Sequence, residues 1–295
     1  MKKMTLGRVI LHVFLIALSL TYILPIILMV MISITAESAI EMNGYSLFPA
    51  EFSLNAYKQA FANPEQILNS YKTTAIYSVT AVVLALFVQT MMAYPLTRPI
   101  FKAKKFITKY LFITMMFGGG LVPHYILNTQ YLHLNDTIWI YIIPTLNAAW
   151  GVFLFKTFFM GLPDGLVEAA KIDGAREFQI YFKMILPLST PIIATQGFMG
   201  LLSYWNNWNT ALLYIRKPEL YSLQYLLQKI LKEAEYVKNL QENNALAASL
   251  IDADELPAES MKYAMAMLAS GPMLVVFPFF QKYFTKGMIV GSVKG

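Results

Sequence analysis

Few residues of this chain have the types and spacing that catalysis requires. Cysteine is absent, which excludes a thiol nucleophile, a thiolate metal site and a disulfide framework. A phosphate-binding loop needs the pattern Gly-x-x-x-x-Gly-Lys-Ser/Thr, and the run Gly118–Gly120 lacks both the lysine and the hydroxyl. The histidines His12, His124 and His133 do not form a His-Glu-x-x-His zinc pattern. The sequence therefore predicts no metal site and no enzymatic activity in this chain.

Two polar segments remain, each placed between long apolar stretches. The first, EAAKIDGA at 168–175, combines charges with small residues and a glycine. The second, SYWNNWNT at 203–210, combines amides with indole rings. Amides beside aromatic rings are suited to binding a polar ligand that has hydroxyl groups and flat apolar faces. What either segment does depends on the elements that position it.

The composition assigns those elements to a membrane. Of the residues, 57% are hydrophobic and only 14% are charged, whereas a soluble domain is about one quarter charged. Six stretches without Asp, Glu, Lys or Arg have about the length of 20 residues that spans a bilayer, or exceed it. They are Val9–Ile34, Thr73–Thr97, Tyr110–Asn135, Thr137–Phe155, Met184–Ile215 and Tyr263–Gln281. We predict an all-α polytopic membrane protein with six transmembrane helices, of which the third and fifth runs include interfacial or loop residues.

The distribution of cations predicts the orientation. With the N-terminus in the cytoplasm, 15 of the 23 lysines and arginines and only 4 of the 17 acids lie on that side, as the positive-inside rule expects. The cluster from Arg98 to Lys109 is interpreted as an anchor near anionic headgroups, not as a nucleic-acid site. The first apolar run is too long for a cleaved signal peptide. Both termini are therefore predicted to be cytoplasmic.

Three segments then face outward, at about 36–70, 128–136 and 216–261. The last contains apolar residues at helical spacing, which predicts an amphipathic helix that caps a pore, contacts a partner or lies on headgroups. These residues are Leu223, Leu226, Leu227, Ile230 and Leu231. We divide the chain into a first transmembrane helix with its outer loop, 1–65, and a core of five transmembrane helices, 66–295.

The cytoplasmic loop 160–191 carries the signals of two short helices joined by a turn. Pro163 and Asp164 suit a helix start, and Gly174 suits its end because glycine accepts a positive φ. A second short helix is expected from Ala175 to Met184, and Pro187 and Pro191 mark its exit and the entry to the fifth span.

From Glu168 onward this loop resembles the EAA loop of inner-membrane permease subunits of ABC importers, and we call residues 160–191 the EAA loop. The matching positions are Glu168, Ala169, Ala170, Asp173, Gly174, Ala175, Phe182, Ile185, Leu186, Pro187 and Pro191. The segments 117–144 and 279–295 resemble parts of permeases for complex oligosaccharides and other sugars. By this resemblance, which covers about 70–295, the chain is identified as a type I, binding-protein-dependent permease of the complex-oligosaccharide branch.

The resemblance implies an assembly in the bacterial cytoplasmic membrane. A second homologous permease, expected to form a heterodimer with this chain, would complete the path for the oligosaccharide. Two cytoplasmic ATPases would bind ATP and Mg²⁺, so no cofactor is expected in this chain. An extracytoplasmic sugar-binding protein would deliver the cargo, membrane lipid would surround the spans, and no nucleic acid is expected as a partner.

The resemblance also implies which residues couple the chain to the ATPases. They are Glu168, Ala169, Ala170, Asp173, Gly174 and Ala175. Glu168 would pair with an arginine of the ATPase, and the short helix would move as a rigid element that bends at Gly174. The spans would then alternate between inward-open and outward-open states. The alternative interpretation is that the loop is only a solvated connection.

The substrate path is predicted at polar and aromatic positions within the spans. They are Trp205, Asn206, Trp208, Asn209 and Asn147, with Trp150 and Gln89 as weaker candidates. The alternative for the 203–210 segment is an interfacial tryptophan belt with amides that cap the helix. Gly118–Gly120 predicts either a close helix contact or a break in the third span.

Two other classes of protein are weighed against a permease. A self-sufficient, ion-coupled secondary transporter needs ionisable residues within its spans, and the six runs contain none apart from histidine. The other class is a membrane enzyme or a scaffold, and an enzyme needs a cluster of nucleophilic or metal-binding residues, which the sequence does not show.

Overall fold

The computed structural model describes residues 6–146, 149–243 and 258–292, and helices dominate these ranges. The first five helices are α1 (Leu6–Ser33), α2 (Glu37–Asn43), α3 (Asn55–Ala60), α4 (Pro64–Thr97) and α5 (Lys104–Met116). The next five are α6 (Leu121–Ile126), α7 (Trp139–Ile142), α8 (Ala149–Met160), α9 (Asp164–Ile172) and α10 (Glu177–Ile180). The last five are α11 (Leu186–Leu188), α12 (Thr190–Trp205), α13 (Asn209–Tyr214), α14 (Leu223–Asn243) and α15 (Ala258–Ser292).

Short turns of other helix types extend several of these helices. They are the π-helical Leu127–Tyr131 and Tyr181–Ile185 and the 3₁₀ Ile143–Thr145 and Pro218–Leu220. Within the described ranges, extended pairing is limited to an isolated bridge between Thr35 and Phe52. The predicted all-α class is therefore confirmed, and so is the helix predicted from Leu223. Residues 244–257, which complete the predicted outer segment, lie outside the described residues.

The predicted spans take two forms in the part of the chain that the structure describes. Three are continuous helices that are long and apolar enough to cross a bilayer: Gly7–Ser33, Pro64–Thr97 and Ala258–Gln281. Three are pairs of helices bent by more than 40° at a short break. The pairs are Lys104–Met116 with Leu121–Tyr131, Trp139–Thr145 with Ala149–Met160, and Glu177–Leu188 with Thr190–Trp205.

The break in the first of these pairs lies at the glycine run. The two helices meet at 113°. Gly120 has φ 83°, a conformation that side chains other than glycine rarely adopt. No atom lies within 4 Å of the position that a Cβ would take at Gly118 or Gly120. Of the two interpretations of this run, the structure therefore supports a break and not a close helix contact.

Contacts group the chain into two compact units. The first takes residues 1–67 and 226–272, and it therefore contains α1, α2, α3, most of α14 and the first part of α15. Its buried apolar side chains are mostly small, which permits helices to approach closely. They include Ile32, Ala36, Ala39, Ile40, Ala56, Ala60, Leu227, Ala234, Ala264 and Met265.

The second unit takes residues 68–225 and 273–295, and it contains the EAA loop and the 203–210 segment. Its main apolar cluster contains side chains of α4, α5 and α8 together with side chains of α9 and α10. The buried members are Ala93, Tyr94, Leu96, Leu111, Ala149, Val152, Phe155, Phe159, Val167, Ala170, Ile180, Tyr181 and Ile185. The EAA loop is therefore packed onto the helices that precede it and is not a free connection.

Candidate functional site: the EAA loop and the 203–210 segment

The EAA loop forms the predicted helix, turn and second helix. Helix α9 begins at Asp164, directly after Pro163, and ends at Ile172. Gly174 follows with φ 78°. The Gly174 N–H donates to the Lys171 carbonyl at 3.0 Å, and the Ala175 N–H donates to the Ala170 carbonyl at 2.9 Å. This bond pair is a Schellman motif, in which glycine closes the helix because it accepts the left-handed conformation.

Helix α9 has a buried face and an exposed face. Val167 and Ala170, three residues apart, are 7% and 8% exposed and belong to the apolar cluster of the second unit. Glu168 and Ala169 are exposed, and Ile172 is 86% exposed. The two alanines of the Glu-Ala-Ala motif therefore lie on different faces: Ala170 attaches the helix to its own chain, and Ala169 lies beside Glu168 on the free face.

The remaining predicted coupling residues lie at the end of α9. Asp173 and Gly174 are exposed, and Ala175 is half-buried. The Asp173 N–H donates to the Ala169 carbonyl at 3.0 Å. The exposed surface of the loop thus contains Glu168, Asp173 and the apolar tip of Ile172, a combination that suits docking into a groove with one basic residue.

A network around Glu177 ties the loop to α4. The Tyr94 hydroxyl donates to Glu177 Oε2 at 2.6 Å, and Lys171 Nζ lies 2.8 Å from Glu177 Oε1. The Arg98 guanidinium lies over the Tyr94 ring at 4.4 Å. Glu177 therefore links the last turn of α9 to the end of α4. We call these four residues the Glu177 network.

Tyr181 adds a second link from the loop to α4. Its hydroxyl is 2.8 Å from that of Thr90, and its ring centroid is 5.3 Å from that of Tyr94. Tyr181 is 2% exposed, so both the ring and the hydroxyl are fixed within the chain. The first helix of the loop and the segment after it are thus held to the same helix, α4.

The sequence did not predict the Glu177 network. Tyr94 and Glu177 are separated by 83 residues, and no local pattern connects them. Lys171 and Glu177 are six residues apart across a turn, a spacing that places side chains together only once the turn geometry is known.

The 203–210 segment interrupts the path of the chain instead of continuing as a helix. Helix α12 ends at Trp205, and α13 begins at Asn209. Trp205 is 5% exposed, with its ring centroid 6.4 Å from that of Tyr71. The Asn206 side chain donates to the Leu202 carbonyl at 2.9 Å and accepts from Gln224 at 3.1 Å. Both residues are therefore held by contacts within the chain.

The other predicted path residues have different surroundings. Trp208 is 39% exposed and Asn209 is exposed, so their side chains are accessible on the surface of this chain. Trp150 is 62% exposed. Gln89 is 6% exposed and contacts Gly151 of α8. Asn147 lies outside the described residues. Substrate contact by these residues stays a prediction.

The chain is similar along almost its whole length to known transport proteins. Residues 1–290 match the family model described as the binding-protein-dependent transport system inner membrane component. The chain is 34% identical to Protein LplC of Bacillus subtilis (strain 168), over 92% of this chain and 90% of that protein. It is 32% identical to the polygalacturonan/rhamnogalacturonan transport system permease protein YtcP of the same organism, over 99% of this chain and 100% of that protein.

A solved structure shares the fold. It is the crystal structure of a bacterial ABC transporter involved in the import of the acidic polysaccharide alginate, with a TM-score of 0.73 and 26% identity over 94% of this chain and 95% of that chain. The family match, the two full-length relatives and the helix–turn–helix of the EAA loop agree. The chain belongs to the family of binding-protein-dependent transport system inner membrane components and is a permease subunit of an ABC importer.

Proposed function

We propose that this permease imports oligosaccharides derived from a polysaccharide, together with a second, different permease subunit. The observation that carries the proposal is the 32% identity over 99% of the chain to a permease named for polygalacturonan/rhamnogalacturonan transport. The likeness to the alginate transporter supports the same class of cargo. Two ATPases and an extracytoplasmic sugar-binding protein complete the assembly, and this chain itself hydrolyses nothing.

The proposed topology has six spans and two cytoplasmic termini. Helices α1, α4 and α15 each form one span, and each of the three bent pairs forms one more. Broken helices are suited to transporters because unwound backbone is tolerated at membrane depth where it lines a cavity. The break at 206–208 carries amide and indole groups. In this proposal it lies where cargo passes.

The EAA loop couples the spans to the ATPases. Helix α9 is closed by the Schellman motif at Gly174 and packs through Val167 and Ala170 into the cluster that contains side chains of α4 and α8. Because packed interiors transmit displacement, a shift of α9 moves the ends of these helices. Glu168 and Ile172, on the free face, contact the ATPase.

Reversal of the charge at Glu168 tests this function. We expect Glu168→Lys to reduce copurification of the ATPases and uptake of oligogalacturonate at least tenfold, since a charged pair that becomes a like-charge contact loses several kcal/mol. Uptake is measured in proteoliposomes with the sugar-binding protein and ATP. Glu235→Lys, an exposed helical glutamate of α14, is the matched control. Normal ATPase copurification with Glu168→Lys would contradict the coupling role. Uptake of a monosaccharide such as galacturonate by the wild-type transporter, without uptake of any oligosaccharide, would contradict the proposed cargo.

A further inference from the structure

A cleft with an unusual concentration of lysines lies between α5, α8 and the end of α4. Its volume is about 350 Å³. Four lysines and two threonines line it together with Leu96 and Met160. These polar residues are Thr97, Lys104, Lys105, Thr108, Lys109 and Lys156, and we call them the lysine cleft.

The lysine cleft has no counter-charge in the surrounding sequence or among its lining residues. No aspartate or glutamate occurs from 66 to 135, a stretch that includes three of the four lysines. In the part of the chain that the structure describes, the ion pairs involve other lysines: Lys171, Lys229, Lys238 and Lys262. Lys156 donates to the Thr108 hydroxyl at 3.3 Å and lies 5.9 Å from the centre of the Phe153 ring, and neither partner carries a negative charge.

The placement of these lysines is electrostatically unfavourable when no ligand is bound. Helix α5 begins at Lys104 and has no acidic residue in its first turn, so Lys104 and Lys105 lie at the positive end of the helix dipole. Lys105 and Lys109 are four residues apart on one helix face, a spacing at which like charges repel. A ligand with negative charge relieves both effects. A sequence that breaks local rules in this way indicates a site.

Apolar side chains beside the lysines of the cleft are exposed. Phe106 and Tyr110, each next in sequence to a lysine of the cleft, are 75% and 57% exposed, and Met160, which lines the cleft, is 65% exposed. In a membrane protein such side chains contact acyl chains, whereas lysines near the ends of spans reach the headgroups. The cleft therefore combines a polar, cationic floor with an apolar surround, as an amphiphile with an anionic head requires.

We propose that the lysine cleft binds the phosphate of an anionic phospholipid such as phosphatidylglycerol, with its acyl chains along α5. A free phosphate would use the same lysines but would gain nothing from Phe106, Tyr110 and Met160. A docked ATPase is disfavoured because the contact proposed for it, the exposed face of α9, is a different surface of the chain. The bound lipid joins α5 to α8, and α8 ends at Met160, the first residue of the EAA loop.

Native mass spectrometry of the full-length permease, purified with its partner subunits, measures this binding. The probes are phosphatidylglycerol, phosphatidylcholine with the same acyl chains, and inorganic phosphate. We expect the wild type to prefer phosphatidylglycerol at least tenfold. The double variant Lys105→Gln/Lys109→Gln should lose affinity for it by about 30-fold, since each lysine near an anionic surface contributes about fivefold.

Further variants make the outcome decisive. Lys105→Arg/Lys109→Arg should retain the preference, and Lys156→Gln tests the cleft through a different helix if the double variant fails to assemble. Lys58→Gln/Lys72→Gln, at two exposed lysines outside the cleft, is the control for net charge. Equal binding of both lipids, or an unchanged preference in the glutamine variants, overturns the proposal. Two further results would overturn it. One is binding of inorganic phosphate as tight as that of the lipid, and the other is a loss of ATPase copurification in the glutamine variants while their lipid binding stays intact.

Discussion

At the scale of single residues, Glu177 has the contacts that matter most for the proposed coupling. Its carboxylate accepts from Tyr94 of α4 and pairs with Lys171 of α9. The pair with Lys171 is about half exposed, so it adds little stability by itself. The bond from Tyr94 is short and shielded, because Tyr94 is 7% exposed. Glu177 is therefore a positioning residue that relates the loop to a span.

Loss of the hydrogen bond between Tyr94 and Glu177 should uncouple transport from ATP hydrolysis. We expect Glu177→Ala and Tyr94→Phe each to lower the sugar imported per ATP hydrolysed, with ATPase copurification retained, because Glu168 and its face are untouched. A double-mutant cycle on thermal stability should give a coupling energy of about 1–2 kcal/mol between the two residues. Tyr236→Phe, at an exposed tyrosine of α14, is the control for loss of a hydroxyl. Additive effects and an unchanged transport ratio would show that the bond has no such role.

Asp136 ties two separate turns together and predicts a pH dependence. It adopts φ 53°, its N–H donates to the Tyr214 carbonyl at 3.1 Å, and its carboxylate accepts from the N–H groups of Arg216 and Lys217. These bonds, chiefly that from Arg216, hold the pKa of Asp136 below its ordinary value near 3.8. Because the folded pKa is the lower one, the stabilisation is present above that ordinary value and is lost as the pH falls through the folded pKa.

The variant Asp136→Asn isolates this contribution. Asparagine tolerates the left-handed backbone but carries no charge, so the variant should unfold at a lower temperature than the wild type at neutral pH. The difference between the two melting temperatures should shrink as the pH is lowered from about 5 toward 3. Glu51→Gln removes an exposed carboxylate elsewhere and serves as the control. A difference that does not change with pH would contradict the role of the charge.

At the scale of elements, the contact between α4 and α8 depends on one glycine. A Cβ at Gly151 would overlap the side-chain amide of Gln89, which is 6% exposed. The absence of a side chain in α8 thus makes room for a polar side chain of α4 within the packed helices. Gln89, a weak candidate for the path from sequence, is enclosed by its own chain.

Addition of one methyl group tests this contact. Gly151→Ala should displace the Gln89 amide and destabilise the protein by about 1–3 kcal/mol, the usual cost when a buried polar group loses its place. Gln89→Ala in the same background should recover part of the loss because it vacates the overlapped space. Gly200→Ala is the matched control, since its Cβ would meet Val82 at an ordinary 3.4 Å. Thermal unfolding in detergent measures all three, and equal effects of the two glycine variants would contradict the argument.

At the scale of the whole molecule, Glu37 connects the beginning of the chain to its last helix. Its carboxylate accepts from the N–H groups of Glu259 and Ser260 at 2.7 and 2.9 Å and from the Ser260 hydroxyl at 3.0 Å. These N–H groups belong to the first turn of α15 and have no partner within that helix. Glu37, 2% exposed, thus caps a helix that starts more than 200 residues later.

Removal of this cap should destabilise the first unit more than removal of a neighbouring charge. We expect Glu37→Ala to cost about 3 kcal/mol, because it leaves buried N–H donors without an acceptor, and Glu37→Gln to cost less because one acceptor oxygen remains. Glu41→Ala, which removes a half-exposed carboxylate from the same helix α2, is the control. Thermal unfolding is the measurement. A Glu37→Ala variant that is no less stable than Glu41→Ala would refute the capping role.

Much of the fold is local in origin and was therefore predictable. The thickness of a bilayer sets the length of an apolar run that can cross it. The six runs have about that length, so they indicate membrane helices even when their packing is unknown. The helix start at Pro163 and its end at Gly174 depend on backbone preferences within one or two residues. The structure confirms both ends. The family resemblance at Glu168–Ala175 rests on the same short segment.

The tertiary structure alone decided the relations between distant residues. Tyr94 meets Glu177, and Glu37 meets Ser260, across separations of 83 and 223 residues that no local pattern encodes. Which alanine of the Glu-Ala-Ala motif is buried depends on how α9 is rotated against the cluster around Phe155. Backbone preferences act between neighbours in sequence, whereas side-chain bonds and packing act between neighbours in space, and only the folded chain defines the second set.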